Sequence, residues 1–318
     1  MLPKGPNTSS NLAAISGNES VSVKPLVKHV LSKELQLYFE RVCSALLDEN
    51  DDEYRLAALA SLRTDPGLHQ LVPYFVQFLS EKVTHNLKDL FVLTQMIHLA
   101  SAMLENPSLY IEPYIASIVP PILTCLIGRR LGSGTSADPL AHFALRDISA
   151  SLLLAIARKY GKSSHTLKPR LARTCLRHFL DPNKLFGSHY GALVGLQGLT
   201  GPEGVRTLVL PNLKDYEAHV LKDGMAADEG RKSEAKMVVK AIMAGLESLE
   251  QDAKTLLREG DNVNGDIGGG YDYGSTEDEK KRERGKLVEM VGETIADAIL
   301  QTGRRSLIRA VLSSDTIV

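Results

Sequence analysis

From Leu35 onward the apolar positions of this chain fall at helical spacing. Leu35, Tyr38, Phe39, Val42 and Leu46 form one stripe behind a candidate N-cap, Ser32. The acidic break DENDDE (Asp48–Glu53) separates that helix from an Ala- and Leu-rich one opening at Tyr54, and its charge suits a helix N-terminus. Asp65-Pro66-Gly67 ends the second helix, because Pro constrains the residue before it and cannot continue the ladder. Leu68, Leu71, Val72, Phe75 and Leu79 share the next face. Leu90, Leu93, Ile97, Ala100 and Leu104 share the one after, which Asn106-Pro107 stops. Ile111–Leu126 repeats the pattern, with Pro113, Pro120 and Pro121 expected as breaks. Leu145, Ile148, Leu152 and Ile156 are in register on a helix spanning Leu140–Lys159, with Gly161 near its C-cap. Further helices are predicted near 166–180, 188–199, 203–222 and 233–257. No run alternates with period two, so the fold class is all-α.

The helices recur. Pro73 in LVPYFVQFL, Pro113 in IEPYIASIVPPIL, Pro169 in LKPRLARTCL and Pro211 in VLPNL mark four units, at intervals of 40, 56 and 42 residues. The long middle interval holds a Gly/Ser insertion, Gly128–Pro139, whose removal brings it near the others. A second marker agrees: YRLAAL at Tyr54, LRDISA at Leu145 and HYGALVGL at His189 each open a helix rich in Ala, Gly or Leu. Small residues there let helices of adjacent units approach closely. A period of about 40–47 residues with two helices per unit is that of HEAT or armadillo arrays. The architecture read from the sequence is a HEAT-type α-solenoid of about five helix pairs, whose units bury their apolar faces against their neighbours.

Composition sets the edges of that array. Residues 1–25, rich in Ser, Asn, Gly and Pro, read as a disordered tail, and 26–257 as the repeat domain. Residues 258–285 read as a Gly-rich, charged linker, and 286–318 as a helical extension that either docks back as a C-terminal cap or stands detached as a helix for a partner groove. Lys plus Arg total 37 and Asp plus Glu 38, so charge does not drive the chain as a whole onto polyphosphate. Three scattered cysteines (Cys43, Cys125, Cys175) fit unpaired thiols in a reducing compartment. No apolar run reaches membrane-spanning length, and the first 20 residues lack a secretory h-region.

The search for chemistry returns little. Gly161-Lys162-Ser163 supplies half of a phosphate-binding loop, but Ile156 stands where its first glycine belongs. Cys175 and His178 are three apart on a predicted helix, and two ligands do not make a zinc site. The acidic run at Glu277–Glu279 lies in the linker-like segment, and Lys280-Lys281-Arg282 reads as a solvated charge run. No catalytic, cofactor or metal residue is assigned, and an extended array of this kind favours a scaffold over a catalyst.

Several blocks carry a resemblance. LVKHVLSKELQLYFERV (Leu26–Val42), DPGLHQLVPYFVQFLSEKV (Asp65–Val83), IEPYIASIVPPILTCLIGRRL (Ile111–Leu131), ALRDISASLL (Ala144–Leu153) and HYGALVGLQGL (His189–Leu199) resemble the HEAT-repeat domain of subunit six of the TATA-binding-protein-associated factors. The resemblance covers roughly residues 26–222. It implies a non-enzymatic subunit of the general transcription factor TFIID, shared in fungi with the SAGA coactivator complex. Its place would be the nucleus and its partners the other TBP-associated factors. No histone fold precedes Leu26, so the histone-fold pairing of the family is not expected of this chain, nor is sequence-specific DNA binding. The competing reading of a HEAT array is a transport or phosphatase-scaffold adaptor, since fold alone does not choose. For the partner surface, Arg129 and Arg130 end a helix and border the Gly/Ser insertion; they read either as cations placed at a helix C-terminus or as an exposed basic contact for an acidic segment, with His189 and Tyr190 as a second candidate unless Tyr190 packs between repeats.

Overall fold

The computed structural model describes residues 31–132, 138, 140–260 and 277–313. Every regular element among them is helical. The first eight are α1 (Lys33–Leu47), α2 (Asp52–Thr64), α3 (Val72–His85), α4 (Leu90–Glu105), α5 (Ile115–Ile127), α6 (His142–Tyr160), α7 (Leu167–Leu180) and α8 (Phe186–Gly204). An irregular helical segment, 205–225, leads to α9 (Glu229–Gly260). After it come α10 (Glu277–Val291), α11 (Glu293–Gln301) and α12 (Arg305–Ser313).

The helices pack as two rows. In the inner row α2, α4, α6, α8 and α9 each touch the next. In the outer row α1, α3, α5, α7 and segment 205–225 each lie against an inner partner, giving five helix pairs. The marker prolines now have a physical reason. Pro73 and Pro169 sit in the first turns of α3 and α7, Pro113 in the 3-10 turn before α5, and Pro211 in the turn Leu210–Asn212. Pro73, Pro113 and Pro169 each open an outer-row element, where the missing N–H would have no helical acceptor anyway; Pro211 instead lies inside segment 205–225, just after a π-type turn. The inner helices take side-chain caps where they start from turns. Asp51 accepts from Tyr54 N for α2, and Asp89 from Val92 N for α4.

Several expectations are corrected. The stripe from Leu68 to Leu79 is one buried face on two elements, because a 3-10 helix (Pro66–Leu71) precedes α3. Pro120 and Pro121 do not break α5; they lie inside it. The amides they lack would have bonded the Ala116 and Ser117 carbonyls, and packing of Ile118, Pro121, Ile122 and Leu126 outweighs that loss. The helix expected over 203–222 is not regular: α8 kinks at Gly201 (φ +67), and π-type turns follow at Val205–Val209 and Glu217–Leu221.

At the C-terminal end, residues 258–260 complete α9 and 277–285 open α10, so both ends of the expected linker are helical. Glu, Lys and Arg have high helix propensity even when nothing buries them. Residues 261–276, the tail 1–25 and half of the Gly/Ser insertion (133–137 and 139) lie outside the described residues. The extension is three helices rather than one, divided at Gly292 (φ +91) and Gly303 (φ +67), conformations that L side chains rarely adopt. It lies on the array: α10 touches segment 205–225, and α11 and α12 touch α9. Leu287, Val291, Ile295, Ile299, Leu307 and Val311 are fully buried there.

Candidate partner-binding site

The C-terminus of α5 and the N-termini of α6 and α8 meet at one place. Arg146 of α6 is buried there, 1% exposed. Its Nη1 donates to the Leu126 carbonyl at 2.7 Å, its Nη2 to the Gly128 carbonyl at 2.9 Å, and its Nε to His142 Nδ1 at 3.2 Å. The last carbonyls of a helix have no intrahelical donor, and a cation at that end meets the negative pole of the dipole. Burial lowers the Arg146 pKa to about 10, against the pull of Glu234, and the group stays charged at neutral pH.

Glycine makes the room. A Cβ on Gly187 would stand 2.8 Å from Arg146 Nη2, and one on Gly191 would stand 1.9 Å from the Leu126 carbonyl oxygen. The small residues of HYGALVGL therefore do what their pattern predicts: they bring α8 against the end of α5.

Beyond α5 the chain turns back. Gly132 N donates to the Leu87 carbonyl at 3.0 Å, and Leu131 is buried. That turn presents Arg129 and Arg130 outward, both exposed. They line an open cleft of about 230 Å³ whose floor includes His142, Arg146, Gly187 and Glu234, with Asp138 at its rim. They also line a neighbouring groove with Leu87, Thr124 and Leu131. Three arginines face two acidic groups, so the cleft is net basic and suits an acidic segment.

His189 and Tyr190 are not surface contacts. His189 is 0% exposed; its Nδ1–H donates to the Phe179 carbonyl at 3.0 Å, and its Nε2 has no partner. Burial holds its pKa below the usual histidine range. Tyr190 donates to Asp147 Oδ1 at 2.8 Å and meets Phe143 edge-on, with ring centroids 4.7 Å apart. Both are enclosed because α8 has α5, α6, α7 and α9 around it, and its N-terminal half, Phe186–Leu193, is buried on every face. Arg146 was the residue that sequence reading missed. An arginine in an Ala/Leu-rich helix carries no sequence signal for burial, although its offset of 20 residues from the end of α5 is fixed by the fold.

Nothing at these positions is set up for nucleophilic chemistry. All three cysteines are free, and burial pushes the thiols of Cys43, Cys125 and Cys175 up to about 12. His178 Nδ1 bonds its own helix at the Thr174 carbonyl, away from any shared ligand role with Cys175. Among the described residues no group of three His, Cys, Asp or Glu could hold a metal, and no helix is long and apolar enough to cross a membrane.

Stacked helix pairs in two rows, with a basic cleft where rows meet, define an α-solenoid of the HEAT class. The chain belongs to the family of the TAF6 C-terminal HEAT repeat domain, whose family model matches residues 27–214. It is 50% identical over 238 residues to the "SAGA complex/transcription factor TFIID complex subunit Taf6" of Schizosaccharomyces pombe, covering 75% of this chain and 52% of that one. It is 41% identical over 196 residues to the "Transcription initiation factor TFIID subunit 6" of Arabidopsis thaliana, covering 62% and 35%. Among solved structures, the "TAF6 C-terminal domain from Antonospora locustae" is 31% identical with a TM-score of 0.55, covering 67% of this chain and 98% of that one. The chain thus spans about half the length of the first relative and about a third of the second.

Proposed function

We propose that this chain is a non-enzymatic scaffold in TFIID- and SAGA-type complexes, joining other subunits during assembly of the RNA polymerase II initiation machinery in the nucleus. The family match carries this reading, since it covers the body of the array from α1 through α8 into segment 205–225. The names of the relatives support it further, because they are subunits of transcription complexes and not of transport or phosphatase assemblies. The basic cleft beneath Arg129 and Arg130 is the contact for an acidic partner segment. Affinity purification of the tagged chain from nuclear extract, read by mass spectrometry, tests the proposal. TBP-associated factors should co-purify, with or without an acetyltransferase module. Recovery of transport receptors or phosphatase subunits in their place would overturn it.

A further inference from the structure

Between Asp147 and Asp181 the chain holds no acidic residue and seven basic ones. Those seven come out of 37, so the rest of the chain has 30 basic against 38 acidic residues, a net charge of -8. The near-neutral total therefore hides a strongly polarised molecule. Lys159 is engaged, donating from Nζ to the Leu104 carbonyl at 2.6 Å. The other six, Arg158, Lys162, Lys168, Arg170, Arg173 and Arg177, are all exposed. None makes an ion pair among the described residues.

The fold gathers them. Arg170, Arg173 and Arg177 stand at i, i+3 and i+7 on α7, one face about 10 Å long. The opposite face of that helix, Leu171, Cys175 and Phe179, is buried against the array. Arg158 at the end of α6 and Lys168 at the start of α7 line one cleft, with Thr200 and Gly201 beside them. The surface is separate from the cleft under Arg129 and Arg130. That one opens at His142, and Arg158 lies about 24 Å further along the same helix.

We propose that the outer face of α7, with the α6–α7 turn, binds the phosphate backbone of double-stranded nucleic acid without reading its sequence. A phosphodiester backbone offers regular charge and little else, and Arg matches its oxygens in a bidentate fork. A protein partner would need an apolar or aromatic anchor, since those dominate protein interfaces. The one large exposed apolar side chain on α7 is Leu180, at the far end of the helix. A single strand would need aromatic platforms for its bases, and the exposed part of this face carries none.

The test is fluorescence anisotropy of a labelled 30-base-pair duplex of mixed sequence, titrated with the full chain at 50, 100 and 200 mM salt. With six phosphate contacts, log K should fall against log salt with a slope of about -5. The triple variant Arg170→Gln, Arg173→Gln, Arg177→Gln should lose at least tenfold in affinity at 50 mM salt and about 3 units of slope, at unchanged melting temperature. If it unfolds, Arg158→Gln with Lys162→Gln and Lys168→Gln gives the same reading from the turn. The control Lys33→Gln, Arg41→Gln, Lys240→Gln should bind like the parent. Absence of binding at 50 mM salt, parental affinity in the α7 variant, or equal loss in the control would overturn the proposal. Displacement of the duplex by polyglutamate as effectively as by unlabelled duplex would also overturn it, reassigning the face to an acidic protein segment.

Discussion

Arg146 and Glu217 sit in two different regions of the molecule and solve the same problem with opposite formal charge. In the repeat array, Arg146 closes the C-terminus of α5. Where the extension joins the array, Glu217 is 1% exposed, and its Oε1 accepts from Thr294 N at 2.7 Å, closing the N-terminus of α11. Each side chain meets the helix pole of opposite sign and supplies the partner that the helix end lacks. The difference is in completeness. Every nitrogen of Arg146 donates to an acceptor, whereas Glu217 Oε2 has no partner. Gly292 packs so closely there that a Cβ would stand 1.9 Å from that oxygen. The array is thus closed by a fully bonded cation inside a broad apolar core. The extension is held by more exposed polar contacts, with Arg304, its side chain 41% exposed, reaching Glu247 and Glu250, and Ser306 donating to Glu250. The array should unfold as a unit and the extension should open first.

The strongest way to break the array side is Leu145→Asp, beside Arg146 and 2% exposed. It buries an unpaired charge and should cost more than about 4 kcal/mol, seen as loss of the cooperative transition in urea. Unchanged unfolding would refute the helix register. Arg146→Met comes next, at about 3 kcal/mol, since it leaves the Leu126 carbonyl without a donor and the Gly128 carbonyl with only the Ser188 hydroxyl at 3.2 Å.

The extension side should respond differently. Gly292→Ala meets both a positive φ and the Glu217 carboxyl, and should cost about 2 kcal/mol. Hydrogen exchange should show α10–α12 deprotected while α2, α4 and α6 keep their protection. Equal deprotection of both regions would mean that the two are one cooperative unit.

A milder probe uses pH. His189 is buried with its pKa lowered, so below about pH 6.5 the unfolded chain takes up a proton that the folded chain refuses. Unfolding free energy should therefore fall as pH drops from 6.5 towards the lowered native pKa, and stay flat above. His189→Gln should flatten that slope in urea titrations between pH 7 and 5. An unchanged slope would assign it to other groups, His98 among them, whose pKa burial also lowers.

The smallest effect on folding is expected from Arg129→Glu with Arg130→Glu. Both side chains are exposed, so the melting temperature should move by no more than about 1 °C. Recovery of complex subunits in the affinity purification should nevertheless fall. A matching drop in melting temperature would make the pair structural.

The sequence by itself determined most of the helices and the period that the four marker prolines set. Those properties follow from local rules: 3.6-residue spacing, capping oxygens and the missing N–H of proline. The blocks of family resemblance were equally legible, because they are runs of ordered residues. What only the tertiary structure decided is how many faces of each helix are covered. His189 and Tyr190 are neighbours in sequence, about 100° apart on α8, and a one-sided helix would leave one of them outside. Four neighbouring helices enclose α8, so both are buried. Arg129 and Arg130 stay outside because the turn through Gly132 buries Leu131 in their place. The same long-range packing made structural caps of Arg146 and Glu217. A charge with no local partner looks exposed until another element brings its helix end to it, and that encounter spans 20 residues for Arg146 and 77 for Glu217.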